Sequence, residues 1–308
     1  MSFVLTLISH PAQRVLTPAH AATARDVLSA QGFMAAPPSW LAQDLACDIP
    51  FDGNASERDQ RNNIVASVLT QFDGEPLDAV IQPLENRRKT LLIADMDSTI
   101  IEQECLDELA DFAGIKERVS HITRRTMAGE LEFESSLRER VALLKGLDEA
   151  VLQRVFDQRI TLTSGARDLV GTMRRHGAVT CLVSGGFTFF TDRVAKAAGF
   201  EHHKANLLVL EGGRLTGQVA EPILGRAAKC DTLKAYARDR ALTRQQTMAV
   251  GDGANDVSMI EQAGLGVAFK PHKILADAAD AIIVHSDLTA LLFLQGYSAE
   301  QIEASRSG

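Results

Sequence analysis

The 308-residue sequence predicts an α/β fold: a doubly wound, Rossmann-like parallel sheet preceded by a smaller N-terminal α/β domain. Two observations support this prediction. From residue 90 onward, short apolar segments alternate with helix-like segments, as they do in sheets that are covered by helices on both faces. The same kinds of segment form a separate, shorter block before residue 86, and a chain of this length favours two domains over one.

The N-terminal block, residues 1–85, is predicted to be a small α/β sandwich with the element order β-α-β-α-β. Its helix-like segments carry apolar residues at helical spacing, and its strand-like segments are short and apolar. The polar sequence E-N-R-R-K that follows predicts a linker. The predicted strands cover residues 2–9, 40–49 and 79–84, and the predicted helices cover residues 18–31 and 55–72.

The second domain, residues 86–308, is predicted to contain the parallel sheet and two insertions. Residues 102–160 are charged and helical throughout, which predicts a helical cap after the first strand. Alternating residues on both sides of Gly212-Gly213 predict a β-hairpin. The predicted sheet strands cover residues 91–95, 178–184, 247–251, 264–268 and 281–284, and the predicted cap helices cover residues 104–112, 120–127, 134–144 and 149–159.

Composition limits the function classes. The formal net charge of −8 argues against a protein that binds nucleic acid through bulk electrostatics. The longest apolar runs have the length of strands, so we expect no membrane span. The four cysteines are far apart and have no metal-site spacing, which favours free thiols in the cytoplasm: Cys47, Cys105, Cys181 and Cys230.

Polar side chains follow three of the predicted parallel strands. Because the carboxyl ends of such strands meet at one edge of the sheet, we expect these side chains to share a site, together with a lysine on a later helix. The set comprises Asp95, Asp97, Ser184, Gly185, Lys229, Asp252, Asn255 and Asp256.

This set of residue types suits phosphoryl transfer. Carboxylates this close together need a positive partner, and oxygen-only ligands select a hard cation such as Mg²⁺, which would neutralise Asp95 and Asp252. The Ser184 hydroxyl, the glycine-turn amides and Lys229 are donors for a phosphate. One aspartate can act as the nucleophile, and a second one can act as general acid and base if the backbone turns between them.

The motifs D-M-D-S-T, L-V-S-G-G-F and V-G-D-G-A-N-D, with the intervening lysine, resemble the haloacid dehalogenase superfamily over roughly residues 88–295. The stretches I-E-Q-E-C-L-D-E-L-A and M-A-G-E-L-E-F-E-S-S-L-R-E-R are similar to the phosphoserine phosphatases within it. The resemblance implies that Asp95 is the nucleophile and a Mg²⁺ ligand, that Asp97 is the general acid and base and lends its carbonyl to the metal, and that Asp252 is the third ligand. It also implies that Ser184, Gly185, Lys229 and Asn255 hold the phosphoryl group and that Asp256 supports the metal or Lys229.

The same resemblance implies an amino-acid substrate. Glu104 and Arg140 would take the ammonium and carboxylate of phosphoserine, and Met127 and Phe133 would form an apolar wall of the cap. The expected reaction is the hydrolysis of O-phospho-L-serine, the last step of serine biosynthesis. Residues 1–85 stand where bacterial relatives often carry an ACT-like domain, which in this chain would serve regulation or pair subunits in a homodimer.

Several alternatives remain open from the sequence. The nearest is a phosphotransferase that passes the phosphoryl group to another small alcohol such as homoserine. Others are a phosphatase for a different small phosphoester and a serine-responsive binding module. The histidines at 121, 202, 203 and 272 lack partners at ligand spacing and are assigned no role.

Overall fold

The computed structural model describes residues 2–127 and 130–306, without the side chain of Met127. Within these residues no helix has both the length and the apolar character needed to cross a membrane. Two larger sheets organise the described residues, one antiparallel and N-terminal, the other parallel and central to the second domain, and a third sheet has two strands. The predicted α/β class with a parallel sheet, a helical insertion and a small N-terminal sheet domain is therefore confirmed.

The N-terminal sheet has five antiparallel strands in the order β2-β4-β1-β5, with β3 also paired to β4. Its first helix begins after Thr17, whose side chain accepts a hydrogen bond from the His20 N–H, and has Pro18 in its first turn, both typical of a helix start. The elements are β1 (Ser2–Ser9), α1 (Pro18–Ala30), β2 (Met34–Ala35), β3 (Ser39–Ala42), β4 (Ala46–Asp52), α2 (Arg58–Thr70) and β5 (Leu77–Pro83).

The prediction of one strand over residues 40–49 is wrong, because this stretch forms the β3–β4 hairpin. The turn lies at Asp44, which has a φ of 57°. Aspartate is one of the few residues besides glycine that tolerate this left-handed conformation, so a turn without glycine or proline was missed. The corrected order is β-α-β-β-α-β, if the two-residue strand β2 is set aside.

The cap follows the first strand of the second domain, β6 (Leu91–Ala94), and a tight turn over Met96–Ile100. It is attached through two crossing segments, in which the Glu102 N–H donates to the Thr161 carbonyl at 3.1 Å and the Thr163 N–H donates to the Ile100 carbonyl at 2.9 Å. Its helices are α3 (Cys105–Phe112), α4 (Lys116–Met127), α5 (Phe133–Ala142) and α6 (Ala150–Arg159).

The parallel sheet has six strands in the order β13-β12-β11-β6-β7-β8, and every adjacent pair is parallel. From β6 the chain builds outward through β7 and β8, then crosses to β11 on the other side of β6. This reversal puts the topological switch point between β6 and β11. The remaining elements are α7 (Ala166–Arg175), β7 (Val179–Phe187), α8 (Thr188–Ala198), β8 (His202–Asn206), β9 (Leu208–Glu211), β10 (Arg214–Val219), α9 (Ala227–Asp239), β11 (Thr247–Gly251), α10 (Val257–Gln262), β12 (Leu265–Phe269), α11 (Lys273–Ala276), β13 (Ala281–Ile283), α12 (Ala290–Leu294) and α13 (Ala299–Arg306).

The sheet is buried on both faces. Leu92 and Ala94 belong to one apolar cluster, whereas Leu91 and Ile93 belong to the cluster on the opposite face. This explains the continuous apolar runs that predicted parallel strands. The edge strand β8 was not predicted, because its H-H-K-A-N sequence is polar and only one of its five positions is buried.

The segment predicted as a polar linker is instead held between the two domains. The Arg87 guanidinium forms a two-pronged ion pair with the Asp48 carboxylate, with distances of 2.7 and 3.1 Å, and also donates to the Leu294 carbonyl. The Asp78 carboxylate accepts hydrogen bonds from the N–H groups of Val284 and Ser286 at 2.9 and 2.7 Å. The N-terminal sheet therefore has specific, buried polar contacts with the second domain.

Replacing Arg87 by methionine should lower the free energy of unfolding by about 3–5 kcal/mol, because it leaves the Asp48 carboxylate buried without its partner. Urea unfolding of the full chain measures this change. Arg88→Met is the matched control, since Arg88 is exposed and stacks on Tyr297, and its loss should cost at most about 1 kcal/mol. Equal losses in the two variants would contradict a stabilising role for the buried pair.

Candidate active site

Asp95 lies where β6 ends, and its position is fixed by the sheet. Its N–H donates to the Val250 carbonyl of the neighbouring strand β11 at 3.0 Å. Its carboxylate accepts a hydrogen bond from the Met96 N–H at 2.7 Å and lies 2.7 Å from the Lys229 ammonium. Only 4% of the residue is exposed. Asp95 is thus a buried, rigidly held carboxylate at the switch point of the sheet.

Lys229 comes from the first turn of α9 and joins two acidic residues. Its ammonium lies 2.7 Å from Asp95 and 2.7 Å from Asp256. Burial alone would lower the pKa of Lys229, but the charges of Asp256 and Asp95 outweigh it and raise the pKa. Gly251 makes room for this arrangement, because a Cβ there would lie 2.4 Å from the Asp256 carboxyl carbon.

Three carboxylates, those of Asp95, Asp252 and Asp256, have oxygens within 4.8 Å of one another. One lysine cannot neutralise three acids. Burial and the charge of Asp256 raise the pKa of Asp95 well above its usual range, and the same two causes raise the pKa of Asp252 to about 6. The missing positive charge and the oxygen-only donors fit a divalent cation.

Asp97 faces a different direction from Asp95. The chain turns tightly after Asp97, where Ser98 has a φ of 53°, and the Asp97 side chain reaches Ser184 of β7. Its two oxygens accept hydrogen bonds from the Cys105 N–H at 2.9 Å and the Ser184 hydroxyl at 3.0 Å. Burial is the main cause that raises the pKa of Asp97. The Asp97 side chain is therefore aimed at the glycine turn, away from the three-carboxylate cluster.

The glycine turn at the end of β7 lies directly beneath the cap. The Ser184 oxygen accepts a hydrogen bond from the Gly186 N–H at 2.8 Å. A Cβ on Gly186 would lie 3.2 Å from Asp97, and a Cβ on Gly185 would lie 3.0 Å from the Phe133 ring. Phe133 begins α5, so the cap covers this turn closely.

Glu104 and Arg140 share the space between the cap and the sheet edge. The Glu104 carboxylate accepts a hydrogen bond from the Ser98 hydroxyl at 2.7 Å. Glu104 is exposed as a residue, yet protein surrounds most of its carboxylate, and burial followed by the charge of Asp97 raises the pKa of Glu104 to about 8. Burial lowers the pKa of Arg140, whereas the charges of Asp107 and Glu104 oppose that change.

The remaining two predicted site residues are Asn255 and Met127. Asn255 lies in the turn after β11, where its side-chain oxygen would be 2.8 Å from a Cβ on Gly253. Met127 ends α4, and its side chain lies outside the described part of the chain. Sequence reasoning missed three contributors: Ser98, the backbone N–H of Cys105, and Asn206, which donates to the Gly185 carbonyl at 2.9 Å. Ser98 was inside the D-M-D-S-T motif, but no sequence signal marked the others.

Known proteins share this architecture. The family model for haloacid dehalogenase-like hydrolases matches residues 92–261. A phosphoserine phosphatase of Archaeoglobus fulgidus is 44% identical over 226 residues, which cover 73% of this chain and 65% of that protein, so the chain spans less than two thirds of it. A phosphoserine phosphatase of Methanocaldococcus jannaschii is 39% identical over a region that covers 67% of this chain and 97% of that protein.

A solved structure also matches both domains. The probable phosphoserine phosphatase from Vibrio cholerae has a TM-score of 0.76 and 28% identity, with 98% of this chain and 88% of that chain covered. The family model covers more than half of the chain, including both strand ends that hold the buried aspartates. The chain therefore belongs to the haloacid dehalogenase-like hydrolase family.

Proposed function

We propose that this chain is a Mg²⁺-dependent phosphoserine phosphatase that hydrolyses O-phospho-L-serine to L-serine and phosphate. The observation that carries the proposal is the position of Glu104, whose carboxylate accepts from Ser98 beside Asp97 at 2.7 Å and lies near enough to Arg140 for its charge to oppose the burial that lowers the pKa of that arginine. A free amino acid presents one ammonium and one carboxylate, and these two side chains are complementary to them. The names of the similar proteins support the same substrate.

In the first step, an oxygen of Asp95 attacks phosphorus and the bond from phosphorus to the serine oxygen breaks. Asp97 donates its proton to that leaving oxygen. The Lys229 ammonium, the Gly185 amide and the Ser184 hydroxyl are the proposed donors for the phosphoryl oxygens, and the Ser184 hydroxyl, which donates to Asp97 in this structure, would be shared between the two acceptors. The product is an aspartyl-phosphate on Asp95 and free serine.

In the second step, Asp97 takes a proton from water and the water oxygen attacks phosphorus, which breaks the bond to Asp95. Phosphate leaves and the Asp95 carboxylate is restored. Asp95, Asp252 and the Asp97 carbonyl are the proposed Mg²⁺ ligands, and Asp256 would hold Lys229 in place. When bound, the cation supplies positive charge that offsets the repulsion between phosphate and carboxylates.

The cap has a proposed role in excluding bulk water. Phe133 contacts the glycine turn, and its α5 helix also carries Arg140, so one helix would close the site and bind the substrate carboxylate. We propose that Asn255 lines the same space. Residues 1–85 are proposed to be an ACT-like domain that regulates the enzyme or pairs two subunits, and the buried free cysteines support a cytoplasmic location.

The test compares phosphoserine with a substrate that lacks its carboxylate. Wild-type protein should release phosphate from phosphoserine only with Mg²⁺, and far more slowly from phosphoethanolamine, which has no carboxylate. Arg140→Met should lower kcat/KM for phosphoserine by roughly 30- to 4000-fold, as expected for a lost charge partner worth about 2–5 kcal/mol. It should change kcat/KM for phosphoethanolamine little, because that substrate has no partner for Arg140.

Arg138→Met is the matched control, since this neighbouring arginine on α5 is exposed and pairs with Glu221. Arg138→Met should leave kcat/KM for both substrates unchanged. Equal losses for both substrates in Arg140→Met would overturn the proposed carboxylate contact. A new phosphoester formed when homoserine is added, without net release of phosphate, would favour the phosphotransferase alternative.

A further inference from the structure

Asn206 is a buried amide at the end of β8, with 2% of its surface exposed. Its amide nitrogen donates to the Gly185 carbonyl at 2.9 Å and to the Leu224 carbonyl at 3.4 Å. Its side-chain oxygen accepts a hydrogen bond from the Leu224 N–H at 2.7 Å. Both amide protons and the carbonyl are thus engaged, so the side chain has one defined orientation.

The bond to Gly185 acts on the peptide unit that forms the glycine turn. The Gly185 carbonyl and the Gly186 N–H belong to the same planar peptide group. Asn206 holds the carbonyl end, and the Ser184 oxygen accepts from the N–H end at 2.8 Å. Ser184 in turn donates to Asp97 at 3.0 Å. A continuous chain of hydrogen bonds therefore runs from Asn206 to Asp97.

The strand pairing explains why this turn needs a side-chain anchor. The β7–β8 register runs normally to the pair Val183–Lys204 and resumes at Phe187–Asn206, so β7 carries two more residues than β8 between these pairs. The extra residues form the bulge that contains the glycine turn, where regular ladder hydrogen bonds are lost. Asn206 supplies a replacement bond from the point at which the pairing resumes.

Asn206 also stands at the base of a hairpin that is bonded to the cap. The hairpin β9–β10 follows β8 directly, and the Asn206–Leu224 bonds close its base. Leu215 exchanges backbone hydrogen bonds with the cap, accepting from the Gly146 N–H at 2.8 Å and donating to the Leu147 carbonyl at 2.9 Å. The side chain of Asn206 thus bonds both to the base of the β9–β10 hairpin, which contacts the cap, and to the glycine turn.

We propose that Asn206 is a positioning residue for phosphoryl transfer, which holds the Gly185–Gly186 peptide so that Ser184 keeps the proton-transferring carboxylate of Asp97 in place. This inference rests on the proposed phosphatase function and adds a residue to its machinery. The hydrogen bonds of Asn206 go to backbone groups of Gly185 and Leu224, which are not reacting groups. Its effect is on the orientation of groups that do, and losses of up to about 10²-fold are typical of such misplacement.

The test uses two leaving groups. Asn206→Asp keeps the shape but removes both donors, and Asn206→Ala removes the whole amide. In single-turnover reactions, both variants should release serine from phosphoserine about 10- to 100-fold more slowly than wild type. Release of nitrophenol from p-nitrophenyl phosphate should slow much less, because that leaving group needs no proton from Asp97. If wild type cleaves only another alkyl phosphate, the phosphoserine proposal fails, and that ester replaces phosphoserine in this comparison.

Gln82→Leu is the matched control, since Gln82 is a buried amide that donates to the Leu294 carbonyl far from the site. Gln82→Leu should lower the thermal midpoint of unfolding, and its effect on the rate of serine release should not differ from its effect on the rate of nitrophenol release. Gly186→Ala is a second variant, which disturbs the same peptide from its other end. Like Asn206→Asp, it should slow the release of serine much more than the release of nitrophenol. Rates are normalised to the fraction of protein that forms phosphoenzyme. Equal slowing with both leaving groups, or none with either, would reduce Asn206 to a structural residue.

Discussion

Asp95→Asn should lower kcat by roughly 10⁴- to 10⁶-fold, as expected when a nucleophile that works with other groups is lost. The amide has no charged oxygen to attack phosphorus, so no covalent intermediate can form. The ion pair to Lys229 also loses one partner, although Lys229 keeps Asp256 at 2.7 Å. Quenched-flow measurement should find no phosphoenzyme and no initial burst of alcohol.

The same substitution should leave the fold as stable as wild type or more so when no metal is added. Burial and the charge of Asp256 raise the pKa of Asp95, which means that its charged form is disfavoured in the folded protein. A neutral amide removes that repulsion. The thermal midpoint without added metal should therefore not fall, and its rise on adding Mg²⁺ should be smaller than in wild type.

Asp26→Asn controls for the loss of a carboxylate at an exposed position on α1 and should leave both activity and midpoint near wild type. Residual activity of Asp95→Asn within tenfold of wild type would contradict the nucleophile assignment. A large fall in the midpoint would instead mean that Asp95 stabilises the fold, and the loss of activity would then say little about chemistry.

The sequence predicted the centre of the fold better than its edges. Strands such as β6 and β11 are apolar throughout because both of their faces are buried, and this signal does not depend on the rest of the chain. The edge strand β8 lacks it, and so does the β3–β4 turn at Asp44. In the segment predicted as a linker, Arg87 looks solvated in the sequence, because its partner Asp48 is distant along the chain.

The candidate site divides in a similar way. Asp95 and Asp252 were predictable because they follow strands, and parallel strands end at a common edge. The direction of the Asp97 side chain was not predictable, since it is held by hydrogen bonds from Cys105 and Ser184. These contacts join segments brought together only by folding, and the same is true of Asn206.

Asp97→Asn should lower the rate of serine release from phosphoserine by about 10²- to 10⁴-fold, the usual contribution of a general acid. The amide fits the same space, because its oxygen can still accept from the Cys105 N–H and its nitrogen can donate to the Ser184 oxygen. What it cannot do is give a proton to the leaving serine oxygen or take one from water. This substitution therefore removes proton transfer and keeps the hydrogen-bond geometry at position 97.

The two steps should respond differently when the leaving group is changed. With p-nitrophenyl phosphate, Asp97→Asn should still form the aspartyl-phosphate on Asp95, since nitrophenolate leaves without a proton, but it should hydrolyse that intermediate slowly. The expected result is a burst of nitrophenol equal to the enzyme concentration, followed by a slow steady state, whereas Asp95→Asn should show no burst. Equal losses for both leaving groups, without accumulated phosphoenzyme, would mean that Asp97 binds the phosphoryl group and does not transfer the proton.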